Sequence, residues 1–241
     1  MLCKEGAILK KVYIYYYRYC RGRIFLMKKI ILFILITAVL FLAACSGDSV
    51  TNTMYEHLEK SVELEEPFIE SQQQLISLDS KEQEIYGQLI ELSADEMDKV
   101  NELADEAITT INERKEILAE ELTIMSEANE EFSNVKELVE KLKEDDQIEK
   151  AEKLVNTMEK RYATFKELNE ISVSSLDENE KLYQLFKNEE LTEEELKEQI
   201  TAVNEVYDQE TELSNNFNQL TEQYNQEKRE FYESTDLNIV F

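Results

Sequence analysis

The stretch Met97–Leu142, MDKVNELADEAITTINERKEILAEELTIMSEANEEFSNVKELVEKL, decides the fold. Steps of seven from Met97 give Ala104, Ile111, Leu118, Met125, Phe132 and Val139, all apolar. The same steps from Val100 give Ala107, Arg114, Glu121, Ala128, Val135 and Leu142, where only Arg114 and Glu121 depart from the pattern. Alternating three- and four-residue spacings place these positions on one stripe of a helix, a seam that must be buried against other helices. In front of it, Ser93-Ala94-Asp95-Glu96 has the capping-box form, Ser at the cap and Glu three residues later.

The same period continues on both sides. A first helix is expected over about 52–92, with Tyr55, Leu58, Val62, Phe68, Ile69, Leu75, Ile76, Ile85, Tyr86, Leu89 and Ile90 on its stripe. Pro67 falls inside it and should kink the helix or start a new segment, because its ring removes a hydrogen bond and clashes one turn back. After Lys143-Glu144-Asp145-Asp146 a third stripe runs through Ile148, Ala151, Leu154, Val155, Met158, Tyr162, Phe165 and Leu168. It continues less regularly to Leu182, Leu185 and Phe186, weakened at Ser172-Val173-Ser174-Ser175. Thr192-Glu193-Glu194-Glu195, a second capping box, opens a fourth helix carrying Leu196, Ile200, Val203, Val206, Tyr207, Leu213, Phe217, Leu220, Tyr224 and Phe231. Residues 234–241 read as a loose tail. The pattern predicts an all-α protein whose residues 55–233 form a long antiparallel up-and-down four-helix bundle with left-handed packing. Forty residues of such a helix span about 60 Å. An extended hairpin or coiled-coil dimer is the competing arrangement, and the large aromatics on three of the helices favour the closed bundle.

Charge narrows the function classes. The chain has 241 residues, with 26 basic and 53 acidic side chains. Eight of the basic residues and one acid precede Cys45, so the part from Cys45 onward is near −34. That charge keeps a protein soluble and apart from its neighbours. It excludes broad contact with nucleic acid, which needs Lys and Arg to replace counterions. Disorder is the rival reading of so acidic a chain, and the periodic stripes argue against it.

The amino-terminal part is of another kind. Met27-Lys28-Lys29 is a short basic region, Ile30–Phe41 is apolar apart from Thr37, and Leu42-Ala43-Ala44-Cys45 follows. This order resembles a lipoprotein signal peptide over 27–44 ending in a lipobox. The resemblance implies cleavage between Ala44 and Cys45, with diacylglycerol on the Cys45 sulfur, the new amino group open to acylation, and no cofactor. It places the mature chain on the extracytoplasmic face of a bacterial membrane, its lipid anchor the contact with the bilayer; two acyl chains suffice for stable attachment. An uncleaved span is the alternative, but Ile30–Ala44 is 15 residues where about 20 are needed. Residues 45–54 then form a lipidated tether. Residues 1–26 read as an upstream mis-start before a true start at Met27, or as a basic extension; Arg21-Gly22-Arg23 is encodable by a purine-rich, ribosome-binding-like stretch. Cys3 and Cys20 lie before the cleavage point, which leaves no thiol for a disulfide, metal site or nucleophile in the folded part.

With lipobox and four stripes in place, the chain resembles the YkyA-like family of lipoproteins of low-GC Gram-positive bacteria, which carries a cell-wall-binding label. The residues that carry the resemblance are Glu66-Pro67-Phe68, Lys81-Glu82-Gln83-Glu84-Ile85-Tyr86, Glu131-Phe132, Glu180-Lys181-Leu182-Tyr183, and Asn204 with Tyr207. It implies a four-helix up-and-down bundle, association with the cell wall, and no catalytic residues.

Little in the chain suggests chemistry. The single histidine, His57, is too few for a di-iron site, which wants a Glu-x-x-His on each of two helices, and position 54 is Met. It is expected as a solvated imidazole at the start of a surface helix. No Cys/His set exists for zinc, and Gly47 and Gly87 make no phosphate loop. The clusters Glu63-Glu65-Glu66, Glu120-Glu121, Glu130-Glu131, Asp145-Asp146 and Glu193-Glu194-Glu195 read mostly as solvated helix faces; a carboxylate-based hydrolase would need two facing acids in a cleft. Weak Ca²⁺ or Mg²⁺ association fits such clusters, but no EF-hand spacing is present. Tyr and Phe sit in the stripes, as core residues more than as a sugar-stacking platform. No enzyme is expected. The reading is an interaction or spacer element of the envelope, with an envelope protein or peptidoglycan as partner; a glycan-binding module is the alternative. A chain near −34 is repelled by anionic teichoic polymers unless divalent cations bridge.

Overall fold

The computed structural model describes residues 50–93, 95–237 and 239. The signal peptide, the lipobox and Ala94 lie outside them. Among the described residues the chain is all-α, a helical bundle with no strand, built from α1 (Val50–Leu64), α2 (Glu66–Leu89), α3 (Met97–Val139), α4 (Asp145–Phe186) and α5 (Glu193–Glu233).

The first expected helix is two. Pro67 sits in the first turn of α2, where its missing N–H has no helical acceptor to lose. The chain breaks just before it: the Glu65 amide still bonds back to Ser61 and Val62, and its carbonyl accepts from Phe68. The two capping boxes differ. At Thr192 the box is complete, since Thr192 N and Oγ1 both donate to the Glu195 carboxylate and Glu195 N donates to Thr192 Oγ1. Each carboxylate so held is kept below its usual range by the hydroxyl that donates to it. At Ser93 only half of it forms. Ser93 N and Oγ reach the Glu96 carboxylate, but the Glu96 carbonyl accepts the first helical bond, from Val100, so Glu96 and not Ser93 stands at the helix start.

The contacts group into two compact units. Unit 1 comprises Ser71–Ala119 and Ile171–Thr211 among the described residues. Its core gathers Leu75, Ile85, Tyr86, Ala104, Ile111, Leu118, Leu176, Tyr183, Val203 and Tyr207. Cross-contacts run in opposite chain directions: Lys115 meets Asp177 and Glu180 while Lys187 meets Asp105, so α3 and α4 are antiparallel here. Unit 2 takes residues up to Glu70, then Glu120–Glu170 and the chain from Glu212. Its core gathers Met54, Leu58, Phe68, Met125, Phe132, Leu154, Met158, Phe165, Phe217 and Phe231. Here α5 runs against α1, with the tilted rings of Tyr232 and Tyr55 in contact at 5.3 Å and Lys228 bridged to Glu59. Segments of α2, α3, α4 and α5 close the core of unit 1, and Phe68 of α2 joins segments of α1, α3, α4 and α5 in that of unit 2. Burying each large side chain contributes about 1.5–3 kcal/mol.

Three expectations change. The helix begins two residues earlier than expected, so residues 50 and 51 of the tether join α1, and Met54 is fully buried. The tail is not wholly loose: Gln147 Nε2 donates to the Ser234 carbonyl at 3.0 Å, and Ile239 packs on the core of unit 2. The serine-rich stretch does not weaken α4, because Ser172 and Ser175 face inward and are small enough to be buried there.

Candidate functional site

The residues expected to carry lipid and cleavage, Leu42, Ala43, Ala44 and Cys45, lie outside the described residues. What the structure offers for function is therefore surface, groove and buried charge. The aromatic side chains come first, because sugar binding needs them on the outside. Among the described residues every Tyr and Phe is buried except Tyr55 and Phe186, which are half-buried. Tyr55 lies against Tyr232, and Phe186 against Tyr86 and Tyr183. The large hydrophobic side chain left exposed is Leu122.

Unit 1 carries an open groove of about 730 Å³ lined by Asp177, Glu180, Lys181, Gln184, Leu185, Asn188 and Gln199. Both of its acids are paired. Lys115 bridges both Asp177 (2.6 Å) and Glu180 (2.7 Å). Burial opposes the charge on Lys115, but the two carboxylates outweigh it and hold its pKa above the ordinary value. Gln199 donates to the carbonyl and carboxylate of Glu178, whose pKa is lowered first by its bond from Lys181. The groove presents amides and balanced charge, a surface for hydrogen bonding.

The least expected feature is buried charge. In unit 2, Arg161 is 6 % exposed and forms a bidentate pair with Glu65, Nη1 to Oε1 at 2.8 Å and Nη2 to Oε2 at 2.6 Å. Its Nε donates to Thr221 at 2.9 Å, and the Phe217 ring lies 4.9 Å away. Tyr162 donates its hydroxyl to the same carboxylate at 3.0 Å. Burial opposes the guanidinium charge, but Glu65 more than restores it, so the Arg161 pKa rises. Burial and then Glu65 push the phenols of Tyr162 and Tyr224 up. In unit 1, Arg114 bridges Asp79 at 3.2 Å and bonds Glu82, all three buried. Tyr207 accepts a bond from Asn179 close by in the same core.

Reading acid clusters as solvated faces missed part of this, and Asp79 and Glu82 lie outside those clusters. Glu65 and Glu121 belong to such clusters and are mostly buried, Glu121 to 1 % exposure. The signal was present: Arg114 and Glu121 occupy seam positions, where an ionisable residue is either buried or breaks the helix. His57 also differs from expectation. It is half-buried and held by Glu131, Nδ1 to Oε1 at 2.7 Å. Among the described residues no group of three or more His, Cys, Asp or Glu is placed to hold a metal ion, and no helix is long and apolar enough to cross a membrane.

Residues 49–234 match the model of the YkyA family, described as "Putative cell-wall binding lipoprotein". The chain belongs to this family. A curated relative from Bacillus subtilis (strain 168), "Uncharacterized lipoprotein YkyA", is 33 % identical over 200 residues, covering 83 % of this chain and 90 % of the relative. No solved structure matches. The match to the YkyA family spans both units from before α1 to the end of α5, so both cores and both buried arginines fall within it. The family's name joins lipoprotein to wall binding and contains no enzymatic activity; association with the cell envelope follows at that level.

Proposed function

We propose that this protein is a non-enzymatic, lipid-anchored helical module on the extracytoplasmic face of the membrane, serving as a spacer or protein-interaction element of the envelope. The observation that carries it is the inward placement of the aromatic side chains in both units, which leaves no ring platform for stacking on sugars among the described residues. The lipobox Leu42–Cys45 supports the anchor. The ordinary pairing of the groove's acids with Lys115 supports a non-catalytic role. The test is metabolic labelling with a lipid precursor. The wild type is expected to take up label and stay with membranes, and Cys45→Ala to lose both; label retained by Cys45→Ala sinks the anchor.

The second reading is a glycan-binding module. It is favoured by the family's wall-binding name and by the amide-lined groove at Gln184, Asn188 and Gln199. Purified wall, with and without its anionic polymers and Mg²⁺, separates the two. Retention lost in Gln184→Ala/Asn188→Ala supports glycan binding in the groove, and no retention under any condition removes it.

A further inference from the structure

The contacts within unit 2 assign one of its ends. Tyr55 meets Tyr232, Glu59 bonds Lys228 and Tyr232, and Glu65 bonds Arg161 beside Thr221, so moving back along α1 means moving forward along α5. Gln147 reaches the Ser234 carbonyl while Arg161 reaches Thr221, so α4 also runs against α5. The turn at residues 140–144 leads directly into Asp145, the first residue of α4, two residues before Gln147. The start of α1, the α3–α4 turn at residues 140–144 and the end of α5 therefore share one end of the unit. Val50, Val139, Leu142 and Ile239 pack there on a common core.

Cys45 lies five residues before Val50, the first residue of α1. Those five steps reach roughly 18 Å at full extension. An anchor at Cys45 thus holds this end close to the bilayer. The chain after Cys45 is strongly acidic, this end included, since Glu140, Glu144, Asp145 and Asp146 flank the exposed Lys141 and Lys143. An anionic headgroup surface repels such a chain over about a Debye length, near 8 Å at physiological salt, so the short tether and not charge keeps this end at the surface. We infer that this end of unit 2, held by the short tether and including the α3–α4 turn, is the surface that faces the lipid headgroups, while the remainder of the unit stands away from them. The inference rests on the lipid anchor proposed above.

The test uses the full-length lipidated protein in vesicles of phosphatidylglycerol and phosphatidylcholine containing a nickel-chelating lipid. After Cys45 the sequence has no other cysteine, and a lipidated Cys45 takes no label, so a single introduced cysteine reports alone. Lys143→Cys lies in the turn. Lys166→Cys, also exposed, sits on α4 about 30 Å further along at about 1.5 Å per residue. Spin labels at the two sites should differ several-fold in relaxation by headgroup nickel, the turn being the more affected. Glu144→Cys and Glu167→Cys repeat the comparison should either lysine variant lose its helical signal. Equal or reversed accessibility in both pairs overturns the orientation while leaving the anchor intact. Wild-type protein that fails to float with the vesicles removes anchor and orientation together.

Discussion

Replacing Arg161 by Met tests whether buried charge fixes this fold. In a Cys45→Ser background, the substitution keeps side-chain volume in the core of unit 2 but removes both bonds to Glu65 and the one to Thr221. Glu65, whose side chain is 16 % exposed, is left with the Tyr162 hydroxyl as its remaining donor of that set. Breaking a buried pair from one side costs about 3–5 kcal/mol, because the other charge stays desolvated. Glu65→Leu alone should cost a similar amount by stranding the guanidinium. The double variant should lie within about 1 kcal/mol of the parent, or above it, since apolar replacement of a whole buried pair is often neutral or stabilising. The expected coupling is therefore several kcal/mol, far above the roughly 0.5 kcal/mol within which independent sites add. Urea unfolding followed by far-ultraviolet circular dichroism gives the totals, and hydrogen exchange resolves the loss to unit 2. An Arg161→Met cost below about 1 kcal/mol, or an additive cycle, would refute the reasoning.

Arg114→Met should be at least as costly, because it withdraws one guanidinium from two buried carboxylates, Asp79 and Glu82; hydrogen exchange should place that loss in unit 1. Alkaline pH should unfold the protein through its tyrosines. Burial pushes the phenols of Tyr162, Tyr183, Tyr224 and Tyr232 above their ordinary value. Above about pH 10 the unfolded chain then binds fewer protons than the folded one, so stability present below that pH falls by about 1.4 kcal/mol per pH unit per tyrosine. Phenolate absorbance should rise together with loss of helicity, and a gradual titration with helices intact would contradict it. Thr192→Ala should cost about 1 kcal/mol as the loss of an N-cap, and Ser93→Ala clearly less, because Ser93 donates to Glu96 but does not cap α3; thermal denaturation of the two variants decides.

The architecture was legible where geometry alone decides it. All fourteen seam positions of Met97–Leu142 are buried except Met97, because a seven-residue repeat puts them on one face whatever their chemistry. Pro67 was readable as a segment start for the same kind of reason: a missing N–H permits few places. Chemistry that depends on a distant partner was not readable. Glu65 looks like one acid among several, and only the approach of Arg161, 96 positions away, makes it a core residue. His57 is likewise drawn half inside by Glu131, 74 positions away. Met54 falls where the expected tether and first helix overlap, because the polar run before it gives no helix start signal, while its burial comes from the core of unit 2. The lipid site expected at Cys45 rests on a sequence motif alone and lies outside the described residues.

The arginines connect these points. After Cys45 the sequence has just three, Arg114, Arg161 and Arg229, against many lysines. Two of the three are buried, one in each unit. Lysines take the surface, where pairs such as Lys150–Asp146 and Lys153–Glu149 hold a solvated charge at little gain. A core position favours guanidinium, which is less strongly hydrated and offers five donors in a planar fork. Both buried arginines find their acids on the α1–α2 portion of the chain, Glu65 at the break and Asp79 with Glu82 beyond it. Apolar stripes alone tolerate sliding by one turn, about 5.4 Å, because a heptad seam repeats itself. A guanidinium locked to a carboxylate does not: one turn of slippage withdraws the charge from its partner inside a dry core. In a chain whose surface charge favours separation from its neighbours, the paired arginines thus set which turn of the first helical segments meets which turn of α3 in unit 1 and of α4 in unit 2. A module that acts as a spacer needs that register more than it needs the small net stability of the pairs themselves.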